Sequence, residues 1–276
     1  MTRLLTRTAL ALLPLVLSPA CYEREDGCLD INAVNYDASA DDNCCCTYPT
    51  LSFSVQHRMD TLVWQRDSVY QTTDGQWFRL LDAAFYLSEF SLRQNNQAYR
   101  ISDSLLFQVF ASGGTDTVGQ FFIDDFTLLR RTTTSLSVGT FSADGAFDQA
   151  QFRLGLSESA NRIVPALTPD GHPLRTQGDS LWLNPQDGYV PLYLVLDRDT
   201  LSATPPDTLR FTRSEIGDAF AISAGPFYHE PGYNLALKIR INYLELFAGV
   251  NLSNPDINAV RNGIASNLPK AFSVIP

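Results

Sequence analysis

Lysine is almost missing from this 276-residue chain. Only Lys238 and Lys270 occur, so arginine supplies 18 of the 20 basic residues. Set against 30 acidic residues, these leave a net charge of −10, which argues against an extended nucleic-acid surface. Histidine is also scarce, at three positions, and no cysteine follows Cys46, so the body of the chain must be held by its core alone. No apolar run reaches the ~20 residues needed to cross a bilayer as a helix. Phosphate-cradling and dinucleotide glycine motifs are absent. Gly155-Leu156-Ser157-Glu158-Ser159 lacks the final glycine of a nucleophile elbow. With no catalytic constellation in view, turnover is not expected.

What is present begins with a leader. Arg3 and Arg7 precede the apolar stretch from Ala9 to Leu17, which ends in Ser18-Pro19-Ala20-Cys21. A basic start, a short apolar core and small residues describe an export signal over residues 1–20. Cys21 directly after Ala20 points to cleavage and lipidation at its thiol, although Ser18 stands where an aliphatic residue is usual. The expected location is the periplasm, or the outer membrane or cell surface as a lipoprotein, with the membrane reached through that anchor.

All five cysteines, Cys21, Cys28, Cys44, Cys45 and Cys46, precede residue 47. Clustered cysteines in an exported protein usually mean disulfides. Residues 21–49 form a segment rich in Asp and Asn. Asp30, Asn32, Asn35, Asp37, Asp41 and Asp42 offer the oxygens calcium prefers, though without EF-hand spacing, so a solvated turn region is the competing reading. The segment resembles a small Cys-bounded module of secreted Bacteroidetes-type proteins, and that resemblance implies a bond between Cys28 and Cys46. Cys44 and Cys45 are then extra thiols. A vicinal disulfide, a bond to another chain and a soft-metal thiolate site all stay open for them.

From Leu51 onward the apolar period is two. Leu51, Phe53, Val55 and His57 alternate with polar residues, as do Phe152, Leu154 and Leu156. The run Leu235, Leu237, Ile239, Ile241, Tyr243 is the clearest case. One face meets a core and the other meets water, as in antiparallel sheet. Val190 to Leu196 is apolar on both faces and reads as a central strand. Turn residues at Thr73-Asp74-Gly75, Ser112-Gly113-Gly114, Asp144-Gly145, Asp170-Gly171 and Pro205-Pro206-Asp207 punctuate roughly ten strands. The fold class expected for residues 50–276 is all-β: an antiparallel β-sandwich with a short C-terminal helix. Asn254 is the expected cap, Pro255 the first turn, and Ile257, Val260 and Ile264 the buried stripe.

Five blocks carry a family resemblance: Leu51–His57 with Tyr70 and Asp74-Gly75; Ala84–Leu92; Gly139-Thr140-Phe141 and Phe147–Gly155 with Asn161; Asp187-Gly188-Tyr189; and Ile239–Phe247 with Glu245-Leu246-Phe247. In this order they resemble the MbnP-like family of copper-associated periplasmic proteins. The resemblance implies a β-sandwich that binds copper, in some members through histidines and an oxidised tryptophan. As partners it implies a dihaem peroxidase-type enzyme or a TonB-dependent receptor. Two departures stand out. The family's tryptophan positions hold Leu183 and Pro185, with Trp182 one place away, and its histidine is missing near Glu215-Ile216-Gly217.

The candidate copper ligands are therefore His57, Met59 and His229. His57 and Met59 are two apart and share a strand face, and imidazole beside thioether suits Cu(I). His229 sits in a loop between Pro226 and Pro231. His172, in Asp170-Gly171-His172-Pro173, reads as a turn residue, and Trp182 either as a packing or rim residue or as a modified or stacking one. The competing function is a surface binding or adhesion module of the same fold without a metal site.

Overall fold

The computed structural model describes residues 23–111, 114, 116–175, 181–200, 204–223 and 225–275. The leader, the lipidation position Cys21 and the Ser112–Gly113 part of one expected turn lie outside them.

Two sheets pack face to face. The smaller is built on Thr50–Met59, flanked by Ser135–Thr140 and by Leu235–Asn242, which is edged in turn by Phe272–Ile275. Alternation does what it promises here. Leu51, Phe53, Val55 and Met59 are buried, and Leu235, Leu237, Ile239 and Ile241 are buried beside them. The strands Thr50–Met59 and Leu235–Asn242 nonetheless run parallel, which departs from the antiparallel pairing that dominates elsewhere. Parallel neighbours need a crossover, and here most of the second sheet is that crossover.

The larger sheet is organised by the 18-residue strand Trp77–Gln94. Phe85 pairs with both Leu192 and Leu129, and Leu87 with both Leu154 and Thr127. One edge of the long strand thus carries Leu192–Asp197 and then Gln149–Leu154. The other carries Thr127–Arg130 and Gln97–Arg100. Leu192–Asp197 also pairs with Asp207–Phe211, which makes it an interior strand, as its two apolar faces suggested.

Two bulges interrupt the long strand. Leu80 and Asp82 face the adjacent residues Leu196 and Val195, leaving Leu81 extra. Ser88 and Ser91 face Arg153 and Gln151, so Glu89 and Phe90 share one partner, Phe152. Each extra residue reverses the side that faces the core. Phe78 and Leu80, then Ala83, Phe85 and Leu87, then Phe90 and Leu92 all reach the same core despite two changes of parity. Phe53, Phe90 and Phe152 lock that core, with ring centroids 5.1 to 6.0 Å apart. Each ring adds about 1.5–3 kcal/mol by leaving water.

A second, smaller core lies on the opposite face of the long strand. Ala84 and Tyr86 meet Phe107, Val109, Phe126, Leu156 and Tyr189 there, beneath the hairpin Ser104–Phe110/Thr117–Ile123. The C-terminal helix Ile257–Ala271 buries Val260, Ile264 and Leu268 in the main core. Its cap is Asp256 rather than Asn254. The Asp256 carboxylate accepts from the Asn258 N–H at 3.0 Å, while Asn254 Oδ1 accepts from the Asp256 N–H one turn earlier.

Residues 23–49 are tied by a disulfide between Cys28 and Cys46. Their Asp and Asn side chains build turns. Asp30 accepts from the Asn32 N–H and the Tyr48 hydroxyl, Asn35 Oδ1 from the Thr47 N–H, and Asp37 from Ser39. Among the described residues Cys44 and Cys45 are unbridged, so of the three readings the vicinal disulfide is not the one adopted. Contact with the Cys45 thiol, above all, pushes the Cys44 thiol up to about 11. Gly232, at φ +75°, lets the loop before Leu235 approach the backbone of this segment: a Cβ there would stand 3.0 Å from the Ala33 carbonyl.

Candidate functional site

Strand alternation places His57 and Met59 on one face of Thr50–Met59, as their spacing requires. Met59 is buried. His57 is already engaged at both nitrogens: Nδ1 lies 2.8 Å from the Tyr243 hydroxyl and Nε2 2.8 Å from the Thr133 carbonyl. A neutral ring with its proton on Nε2 satisfies both, accepting from the tyrosine and donating to the carbonyl. The ring stacks on Tyr243 and approaches Trp64, whose indole N–H donates to the Leu80 carbonyl. Burial, chiefly, holds the His57 imidazole below its usual range, and the Arg131 charge adds to this while the Thr133 carbonyl opposes it. The result is a closed aromatic box.

His229 lies at the other end of the small sheet. Its ring packs on Phe141, whose N–H bonds to the Pro49 carbonyl just before Thr50–Met59 begins. From there to His57 is most of a strand, ~25 Å at the usual rise per residue. His229 Nδ1 is 2.9 Å from the Ala143 carbonyl and Nε2 2.6 Å from the Tyr233 carbonyl, so both ring nitrogens face a backbone acceptor. The structure brings His57 and Met59 together and leaves His229 apart. Among the described residues no three His, Cys, Asp or Glu side chains gather as a metal-holding group.

The other candidates are structural in their contacts. His172 does more than turn the chain: it donates from Nε2 to Asp124 at 2.8 Å, accepts the Leu174 N–H at Nδ1, and packs between Phe107 and Phe126. Trp182 stacks on Phe110, and among the described residues its indole nitrogen has no hydrogen-bond partner. Asn161 clamps the Asp187-Gly188-Tyr189 turn, donating to the Asp187 carbonyl and accepting from the Tyr189 N–H. A side chain at Gly188, φ +71°, would collide with Asn161. Those motif residues thus serve backbone geometry.

One group escaped notice in the sequence. At the second bulge Glu89 adopts φ +53°, a left-handed conformation that costs a non-glycine residue about 1–3 kcal/mol. Asp125 holds it there. The Asp125 side chain, in a residue only 3% exposed, accepts from the Phe90 N–H at 2.8 Å and from the Glu89 N–H. Burial pushes its carboxyl up to about 6, against those two amides and the Arg100 charge. The Glu89 carboxylate stands 3.0 Å from Arg153 Nε, and Arg153 also pairs with Asp218. Above the bulge opens a cleft of about 220 Å³. Asp125, Glu89 and Arg100 line it with Phe121, Ser157 and Ser159. The serines bond to each other at 3.2 Å, and Phe121 is 71% exposed. A larger cleft near Asp197 and Asp207 has its charges committed. There Arg198 bonds Asp207 at 2.6 Å and the Leu252 and Asn254 carbonyls, and Asp197 pairs with Arg79.

Comparison with models of known families gives no match, and comparison with curated proteins gives none either. Among solved structures, the chain is similar to MbnP from Methylosinus trichosporium, with a TM-score of 0.45 and 13% identity. The match covers 82% of this chain and 98% of that one. At those values the likeness settles neither family nor function.

Proposed function

We propose that this chain is an exported β-sandwich binding protein, anchored through a lipid on Cys21, that holds a small ligand in the cleft above the Glu89 bulge without turning it over. The observation that carries this reading is the coincidence at one place of a strained residue, a buried carboxyl with a raised pKa and an open cleft. Strained backbone and bulges collect at working sites because only a surrounding structure with a use for them holds them in place. Membership of the MbnP-like family belongs to the same proposal, supported by the order of sequence blocks from Leu51 to Phe247. A thermal-shift screen of the processed protein against small molecules tests it: compounds that raise the midpoint should lose that effect in Phe121→Ala. Shifts that survive the substitution would place the ligand elsewhere. Cys21→Ser should move the protein from the membrane to the soluble fraction.

Copper handling is the second reading, favoured by one observation: His57 and Met59 project side by side next to Trp64 and Tyr243. A metal there must displace the Thr133 carbonyl or the Tyr243 hydroxyl from His57. Stoichiometric Cu(I) uptake that disappears in Met59→Leu would support it. No uptake by the processed protein would remove it, along with the partners it implies.

A further inference from the structure

On the reading that the cleft above Glu89 is the ligand site, we infer that its ligand is a neutral polyhydroxylated ring: a saccharide residue lying with one face on Phe121.

Charge makes the first selection. The cleft shows carboxylates from Glu89 and Asp125 and guanidinium groups from Arg100 and, behind Glu89, Arg153. An anion entering would face the Glu89 and Asp125 carboxylates, and a cation would face Arg100. Either would leave a like charge desolvated beside it. A neutral ligand meets neither penalty.

Hydrogen-bonding capacity makes the second. Arg100 offers donors only, ionised Glu89 acceptors only, and Ser157 and Ser159 both kinds. Neighbouring hydroxyls on a ring each donate and accept, so they suit a mixed set of this kind. A hydrocarbon would leave the same groups without partners, a desolvation penalty with nothing to offset it.

Shape makes the third. Phe121 stands in the strand Thr117–Ile123 opposite Leu106 and is largely exposed, while Phe122 and Phe126, which pack toward the second core, also line the cleft. An exposed aromatic residue on a cleft lined by both polar and aromatic side chains matches a sugar, which has apolar C–H carbons on one face and hydroxyls at its edge. Glu89 completes the arrangement. In an ordinary strand its side chain would follow the alternation; the bulge that Asp125 fixes instead directs it into the cleft.

Saturation-transfer NMR on the processed protein tests this with four probes: the methyl glycosides of glucose, galactose, mannose and N-acetylglucosamine. Acetate and ethanolamine serve as charged counterparts. At least one glycoside should receive saturation at its ring C–H protons, and Phe121→Ala should weaken its binding about tenfold or more. Val63→Ser, at an exposed position away from the cleft, should not. If no glycoside binds, or if binding persists undiminished in Phe121→Ala, the inference falls. If acetate or ethanolamine binds instead and is lost in Phe121→Ala, the saccharide class is overturned while the cleft stands as the ligand site. Unchanged unfolding midpoints in both variants rule out a folding artefact.

Discussion

The aromatic box around His57 and the cleft above Glu89 are both built where polar side chains meet aromatic rings, yet they end in opposite states. In the box every polar atom is answered from within: His57 by Tyr243 and Thr133, Trp64 by Leu80. Tyr243 is fully buried, and burial above all drives its hydroxyl well above the usual tyrosine range. In the cleft the backbone is strained, a carboxyl is buried with a raised pKa, and serine and arginine side chains face an opening. Satisfied polar groups stabilise, whereas open and strained ones cost stability and are kept where something binds. On the proposed function, the box is architecture and the cleft the working surface.

Substitutions sharpen the contrast. Tyr243→Ala removes a buried ring and leaves His57 without its donor, so urea unfolding should report a loss of about 3–5 kcal/mol. Phe121→Ala should stay within about 0.5 kcal/mol of the parent. Equal losses would erase the distinction between box and cleft.

Asp125 gives the next effect. Its carboxyl titrates near 6 in the fold, above the range of an unfolded aspartate, so the native state holds the proton more tightly. Its contribution is therefore fully present below about pH 4, declines as the pH rises to about 6, and is flat beyond, a change of about 3 kcal/mol. Asp125→Asn keeps an acceptor for the Phe90 N–H and cannot ionise. Its stability profile should lack that decline, and the variant should exceed the parent at neutral pH. A parallel pair of profiles would show that Asp125 is not the group responsible.

Glu89→Gly relieves the left-handed conformation and should raise stability by about 1 kcal/mol while weakening whatever the cleft holds. A fall in stability would mean that the Arg153 pairing outweighs the strain. The smallest effect belongs to His57. Its folded pKa is depressed, so the native state binds fewer protons than the unfolded chain once the pH falls below about 6.5. Stability is lost with acid from that point down to the folded value, and His57→Phe should remove that part of the acid slope.

Much of the sandwich was legible because period-two alternation survives where a strand keeps its register. His57 and Met59 share the face their spacing demands, and Leu235 to Tyr243 alternate without a break. The long strand hides its bulges because an extra residue leaves no compositional trace. Glu89 sits where glycine or asparagine would announce a left-handed turn, and Ser88-Glu89-Phe90-Ser91 reads as ordinary strand. Asp125 did leave a signal, an acidic pair with Asp124 inside the apolar run Phe121 to Leu129, but its partner amides come from 35 residues away in the chain. The parallel pairing of Thr50–Met59 with Leu235–Asn242 was hidden for the same reason, since local alternation cannot encode a neighbour's direction. The pairing of Cys28 with Cys46 came through resemblance, not spacing.

The most direct test of the central claim is a backbone amide shift map of the processed, isotopically labelled protein titrated with the glycoside that binds best. Binding in the cleft predicts the largest perturbations at Glu89, Phe90, Phe121 and Asp125, with His57 and Tyr243 unmoved. Shifts centred on His57 and Tyr243, or scattered with no focus at the bulge, would contradict it.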